Sequence, residues 1–108
     1  MKYGLKDGAI NAIISVLATF TEVDSAVIYG SRAKGNFKPQ SDIDLTLKGD
    51  RITHTILNKI RWALDDLLLP VTFDVSIHSN IQNDELLDHI KRVGKLFYNK
   101  GLTKTTDH

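Results

Sequence analysis

The chain contains no cysteine, so no disulfide framework and no thiolate metal site can form, which suits a cytoplasmic setting. Proline occurs only 2 times and the 7 glycines are scattered, so no Pro/Gly linker divides the chain. Neither sign of charge is in excess. Lys+Arg number 14 against Asp+Glu 13, a formal net charge of +1. That balance excludes the basic footprint of a protein that holds nucleic acid non-specifically, so no stable nucleic-acid complex is expected. It leaves a nucleotide open as a small ligand. No apolar run approaches the roughly 20 residues of a membrane span, and Met1–Asp7 carries no leader-like apolar stretch. What is present is ordinary for a globular protein: 108 residues, 42% hydrophobic and 25% charged. That is enough for one domain with a real core. We expect this domain over residues 1–101 and a loose tail over 102–108.

Hydrophobic spacing orders the chain. Ile10, Ile13, Ile14, Leu17 and Phe20 recur at helical period, which predicts a helix over 7–21. Ser25–Tyr29 is short and β-branched and stops at Gly30, the pattern of a buried strand. Residues 32–37 can add a helical turn before the loop at 38–41. Residues 42–47 and 72–77 alternate polar and apolar without a break, as strands with one face on the core do. Between them Ile56, Ile60, Leu64 and Leu67 mark a helix that stops before Pro70. Leu86, Leu87, Ile90 and Val93 mark another, ending at Gly94 in the C′ position, where glycine usually takes a left-handed turn. Residues 95–98 can form a last strand. The order predicts an α/β (α+β) domain, a small mixed sheet with helices packed on one face. A helical crossover makes the 42–47 and 72–77 strands parallel, and the short connection after Gly30 makes the first pair antiparallel.

The second of these strands carries chemistry. Asp42 and Asp44 lie two apart, so both side chains leave the same face, with Cα atoms about 6.5–7 Å apart. Asp74 has the same polar phase thirty residues on. Exposed aspartates are usually only solvated surface. Here, however, aspartate is a poor strand former, and carboxylates about 5 Å apart repel by roughly 3 kcal/mol per pair. The apolar phase of Ile43, Leu45, Leu47 and of Phe73, Val75, Ile77 fixes the register and holds the acids together. Carboxylate oxygens suit a hard cation. Magnesium takes only one or two of them and completes its shell with water and substrate phosphate, which points to a polyphosphate substrate.

The phosphate side lies upstream. Gly30 lets the backbone turn and a phosphate approach. Ser31 offers an amide and a hydroxyl. Arg32, Lys34 and Lys38 add positive charge. Named motifs fail: Asn36-Phe37 stands where the P-loop requires Lys-Ser/Thr, and no G-x-G-x-x-G occurs.

Gly30-Ser31, ten intervening residues, Asp42-Ile43-Asp44 and then Asp74 together resemble the DNA polymerase β-like nucleotidyltransferase superfamily. Gly30–Gly35 and Ser41–Leu45 look most like its minimal nucleotidyltransferase (MNT) branch. The resemblance implies that Asp42 and Asp44 hold two Mg²⁺ ions, with Asp74 on the ion nearer the acceptor. It implies that Gly30 and Ser31 bind the β/γ-phosphates of ATP, with Arg32, Lys34 and Ser41 as further ligands. It further implies transfer of AMP to a hydroxyl. MNT proteins work with a separate helical HEPN protein, the antitoxin modifying a tyrosine of the toxin, so a hetero-oligomer is expected. Two other readings stay open: a non-catalytic module that masks such a partner, and a transferase acting on a small-molecule hydroxyl. His54, His78, His89 and His108 show no ligand spacing, and among them His78, just after a strand, is the first candidate. Trp62 reads as packing or interface.

Overall fold

A computed structural model describes residues 1–101. The expected tail at 102–108 lies outside the described residues. Four helices and four strands are present among them: α1 (Asp7–Thr19), β1 (Ser25–Tyr29), α2 (Gly30–Lys34), β2 (Ile43–Lys48), α3 (His54–Asp65), β3 (Phe73–Ile77), α4 (Asp84–Val93) and β4 (Lys95–Asn99). A short 3₁₀ turn, His78–Asn80, links β3 to α4.

The sheet runs β3-β2-β1-β4. β1 pairs antiparallel with β2 and with β4, and β2 pairs parallel with β3. Both expected pairings are therefore found, and the sheet is mixed. β2 bears the alternation that the sequence carries: Ile43, Leu45 and Leu47 are fully buried while Asp44 leaves the opposite face. Ile13 and Leu17 of α1 and Leu57, Ile60 and Leu64 of α3 join them in one core with Ala26, Ile28, Val75 and Ile77. Each such side chain contributes about 1.5–3 kcal/mol when fully buried. Thr46 is the polar exception, fully buried, and its hydroxyl accepts a hydrogen bond from Ser76 Oγ at 3.0 Å.

Local chemistry sets the boundaries. Thr53 caps α3 by accepting the Ile56 amide, and Asn83 caps α4 by accepting that of Leu86, both ordinary N-caps. α1 stops at Thr19, two residues short of the expected end, because Phe20 turns to extended backbone and its amide closes on Leu17. α3 ends at Asp65 and leaves Leu67 outside the helix. Leu68, at φ +56°, turns the chain before Pro70 arrives. Trp62 is 67% exposed and takes no part in the core.

The end of α4 corrects an expectation. Gly94 has φ −61° and ψ 144°, which is extended backbone and no left-handed cap. Its glycine answers to space. A Cβ there would overlap the Ile90 carbonyl oxygen and come within 2.8 Å of Val27 Cγ1. α4 thus seats against β1 on the side of Val27, and Val27, Leu87, Ile90 and Leu96 line a cavity there. Val27 has the phase of Tyr29 on its strand and faces the same way. α4 is therefore brought alongside the face that carries the acids, while α1 and α3 cover the other.

Candidate active site

Gly30 is the pivot. β1 ends at Tyr29, and the backbone turns at Gly30 with φ +74° straight into α2. A side chain is excluded twice, by that positive φ and by Asp44, whose Oδ2 lies where a Cβ would stand. The turn and the carboxylate are thus in contact because residue 30 is glycine. The sheet makes the contact inevitable: Tyr29 is the cross-strand partner of Asp44.

The parallel pairing brings in the second acid. Asp44 is opposite Asp74 in register, on strands about 4.8 Å apart. Asp74 is exposed, while Asp44 is half-buried. The Asp44 pKa is pushed from 3.8 up to about 6, first by burial and then by the charges of Asp74 and Asp42. Asp44 therefore feels the charge of both other carboxylates. Asp42 stands one residue ahead of β2, exposed, and its carboxylate accepts a hydrogen bond from the Thr72 hydroxyl. Among the described residues, no three acidic or histidine side chains gather closely enough to cage an ion. The donor chemistry nevertheless fits a hard divalent cation. There are three carboxylates, and their repulsion is what a cation would relieve.

Tyr29 forms part of the floor. It is buried, and burial raises the pKa of its phenol, as do the nearby charges of Asp74 and Asp44, against the opposing effect of a hydrogen bond with Ser76. Tyr29, Ser76 and Thr46 form a polar layer under the acids.

Of the remaining candidates, Arg32 and Ser41 are engaged in contacts within the chain. Arg32, expected as a phosphate ligand, is 3% exposed. Its guanidinium donates to the carbonyls of Ser41 (3.0 Å), Tyr3 (2.8 Å) and Pro39 (3.2 Å) and lies over the Phe37 ring. It ties the N-terminus to the 38–41 loop and does not stand open to a phosphate. Ser41 belongs to the same tie. Its carbonyl receives Arg32, its hydroxyl accepts the Lys38 amide at 2.8 Å, and its own amide donates to the Lys38 carbonyl. Lys34 is exposed in the last turn of α2, where a cation suits the helix end.

The histidine ranking is reversed. His78 follows Ile77, which pairs with Leu47. It sits beside Lys48 at the far end of the sheet, about 13 Å along the strand from Asp74. Burial and the Lys48 charge lower its pKa. His89 is the histidine at the turn: its Nε2 accepts the Gly30 amide at 3.1 Å, and its ring meets Tyr29 edge-on. Its only sequence signal was its place one residue from Ile90 and three from Leu86, on the inward stripe of α4. Thr72 had no signal beyond lying one residue before β3.

Residues 11–101 match the family described as Polymerase beta, Nucleotidyltransferase, and the chain belongs to that family. No curated protein matches the chain in sequence. Solved structures share its fold. One is a chain of a toxin-antitoxin crystal structure with AMP-PNP, at 17% identity over 90% of this chain and 78% of that one, with a TM-score of 0.69. Another comes from a tri-AMPylated Shewanella oneidensis HEPN toxin in complex with MNT antitoxin, at 14% identity over 94% and 79%, TM-score 0.66. A third is a putative nucleotidyltransferase from Sulfolobus solfataricus, at 21% identity over 91% and 93%, TM-score 0.50.

Proposed function

We propose that this chain is a Mg²⁺-dependent nucleotidyltransferase that moves AMP from ATP to a hydroxyl, a tyrosine of a helical HEPN partner. It would act as the antitoxin of such a pair in the cytoplasm. The observation that carries the proposal is the contact of Gly30 with Asp44, itself in register with Asp74. In this reading the backbone that would bind phosphate and the carboxylates that would bind metal lie together at one end of the sheet.

In this reading Asp42, Asp44 and Asp74 would hold two Mg²⁺ ions, which would supply positive charge at the triphosphate and the acceptor oxygen. Ser31, in the first turn of α2, offers its amide and hydroxyl to the phosphates. Asp44, pressed against the turn, fixes the distance between acids and phosphates. Asp74, exposed beside it, takes the proton of the acceptor hydroxyl. The acceptor oxygen bonds to the α-phosphorus and the bond to the β-phosphate bridge oxygen breaks, so pyrophosphate leaves and no covalent enzyme intermediate forms. Asp42 would have to leave its hydrogen bond with Thr72 to join the carboxylates that would hold the ions.

That Thr72 bond, with no three acids gathered, favours a second reading in which the domain masks its partner without transfer. One experiment separates the two. The chain, Mg²⁺ and the candidate partner encoded beside it are incubated with ATP labelled at the α-phosphate in one arm and at the γ-phosphate in the other. Transfer of the α label alone supports the proposal. Label from the γ arm would mean a kinase. A stable complex with neither label would leave masking.

A further inference from the structure

The Gly30 amide is the first of α2 and has no acceptor within its own helix. Its acceptor is His89 Nε2, 59 residues further along the chain. To accept, Nε2 must be unprotonated, so the neutral ring carries its hydrogen on Nδ1. The ring is held from the side by Tyr29, with centroids 6.2 Å apart and planes at 78°. α4 delivers it from a fixed seat: Ile90, the next residue, is buried, and Gly94 closes on Val27. Gly30 is thus gripped from two directions, by Asp44 at its Cα and by His89 at its amide.

We propose that His89 is the positioning residue of the Gly30–Ser31 turn, holding the Gly30 amide so that the donors of Ser31 face the triphosphate. This rests on the reading of that turn as the phosphate site. Glycine at φ +74° has more backbone freedom than any other residue, and nothing in β1 or α2 fixes its amide. The imidazole does, from a separate element whose own position is set by packing. That is the arrangement which keeps a binding group in its productive geometry. His89 meets the Gly30 amide and the Tyr29 ring, and in the proposed function it takes no part in the chemical step. Its loss therefore weakens nucleotide binding and leaves the chemical step to the acids.

The test uses the full chain with His89→Ala and His89→Gln. Glutamine carries an acceptor at the reach of Nε2 without the ring. In ¹⁵N-labelled, ligand-free protein, hydrogen exchange at the Gly30 amide is expected to quicken about tenfold in His89→Ala, the worth of one hydrogen bond. His89→Gln restores it to within about threefold. Titration with Mg²⁺ and AMP-PNP should show Kd raised about five- to tenfold in His89→Ala and recovered in His89→Gln. Unchanged exchange in His89→Ala overturns the proposal, as does a folded His89→Gln that behaves like His89→Ala, because ring packing alone would then be at work. If His89→Ala does not fold, the exchange rate of His89→Gln decides. If the unmodified chain binds no AMP-PNP, the phosphate-site reading fails, and the ligand-free exchange result still decides whether His89 holds the turn.

Discussion

Asp44 joins the two halves of the site and bears the cost of doing so. Its folded pKa is about 6 against an ordinary 3.8, so the folded state binds a proton where the unfolded state has already lost it. Stability from this group is therefore greatest below about pH 4 and falls as pH rises through about 6. Without divalent cation, urea unfolding should show that decline, on the order of 1 kcal/mol once solvent screening of a half-exposed group is allowed for. Asp44→Asn should flatten it and unfold at higher urea at neutral pH. A variant that is instead less stable there would contradict mutual repulsion of the acids. Gly30→Ala tests the other half of the contact. The positive φ and the overlap with Asp44 should cost about 1–3 kcal/mol in the same measurement, and nucleotide binding should be lost even where the protein stays folded.

At the scale of elements, the loop between α2 and β2 depends on Arg32. Arg32→Ala should lower stability by about 2 kcal/mol, since three carbonyls lose a charged donor. Arg32→Lys should not restore it, because a lysine cannot fork to three oxygens. A stable Arg32→Ala with collapsed nucleotide affinity would return Arg32 to the phosphate. This side chain also marks where sequence patterns stop. The strands bearing Asp44 and Asp74, their parallel pairing and the Gly30 turn were all legible, because period-2 alternation fixes which face each residue takes. The tasks of Arg32 and His89 were not. Both depend on which loop or helix folds back to meet them: for His89 it is α4, which packs against β1 and ends where β4 begins at the sheet edge. A basic residue after a glycine turn reads the same whether it meets phosphate or carbonyl. Asp42 is intermediate. Its strand phase was legible, but the strand begins one residue later, which leaves its carboxylate to Thr72.

At the scale of the whole molecule, the domain ends its sheet at an open corner. The acids and the turn meet there, and Asp74 and Ser31 are exposed or half-buried on the surface. In the proposed function such an open site would receive its acceptor from the partner protein. If the corner binds Mg²⁺ and ATP together, a nucleotide at about one hundred times its Kd should add about 2.7 kcal/mol. For a domain of this size the thermal midpoint should then rise by about 10 °C or more. Chelation with EDTA should remove most of that rise, and Asp42→Asn should remove it with the metal still present.

The most direct measurement is the intact mass of the helical partner after incubation with this chain, Mg²⁺ and ATP, compared with Asp44→Asn under the same conditions. The account predicts partner mass raised by whole nucleoside monophosphate increments, located on a tyrosine by peptide fragmentation, and absent with Asp44→Asn although that variant folds and still binds the partner. A partner of unchanged mass in a stable complex with the unmodified chain would contradict it.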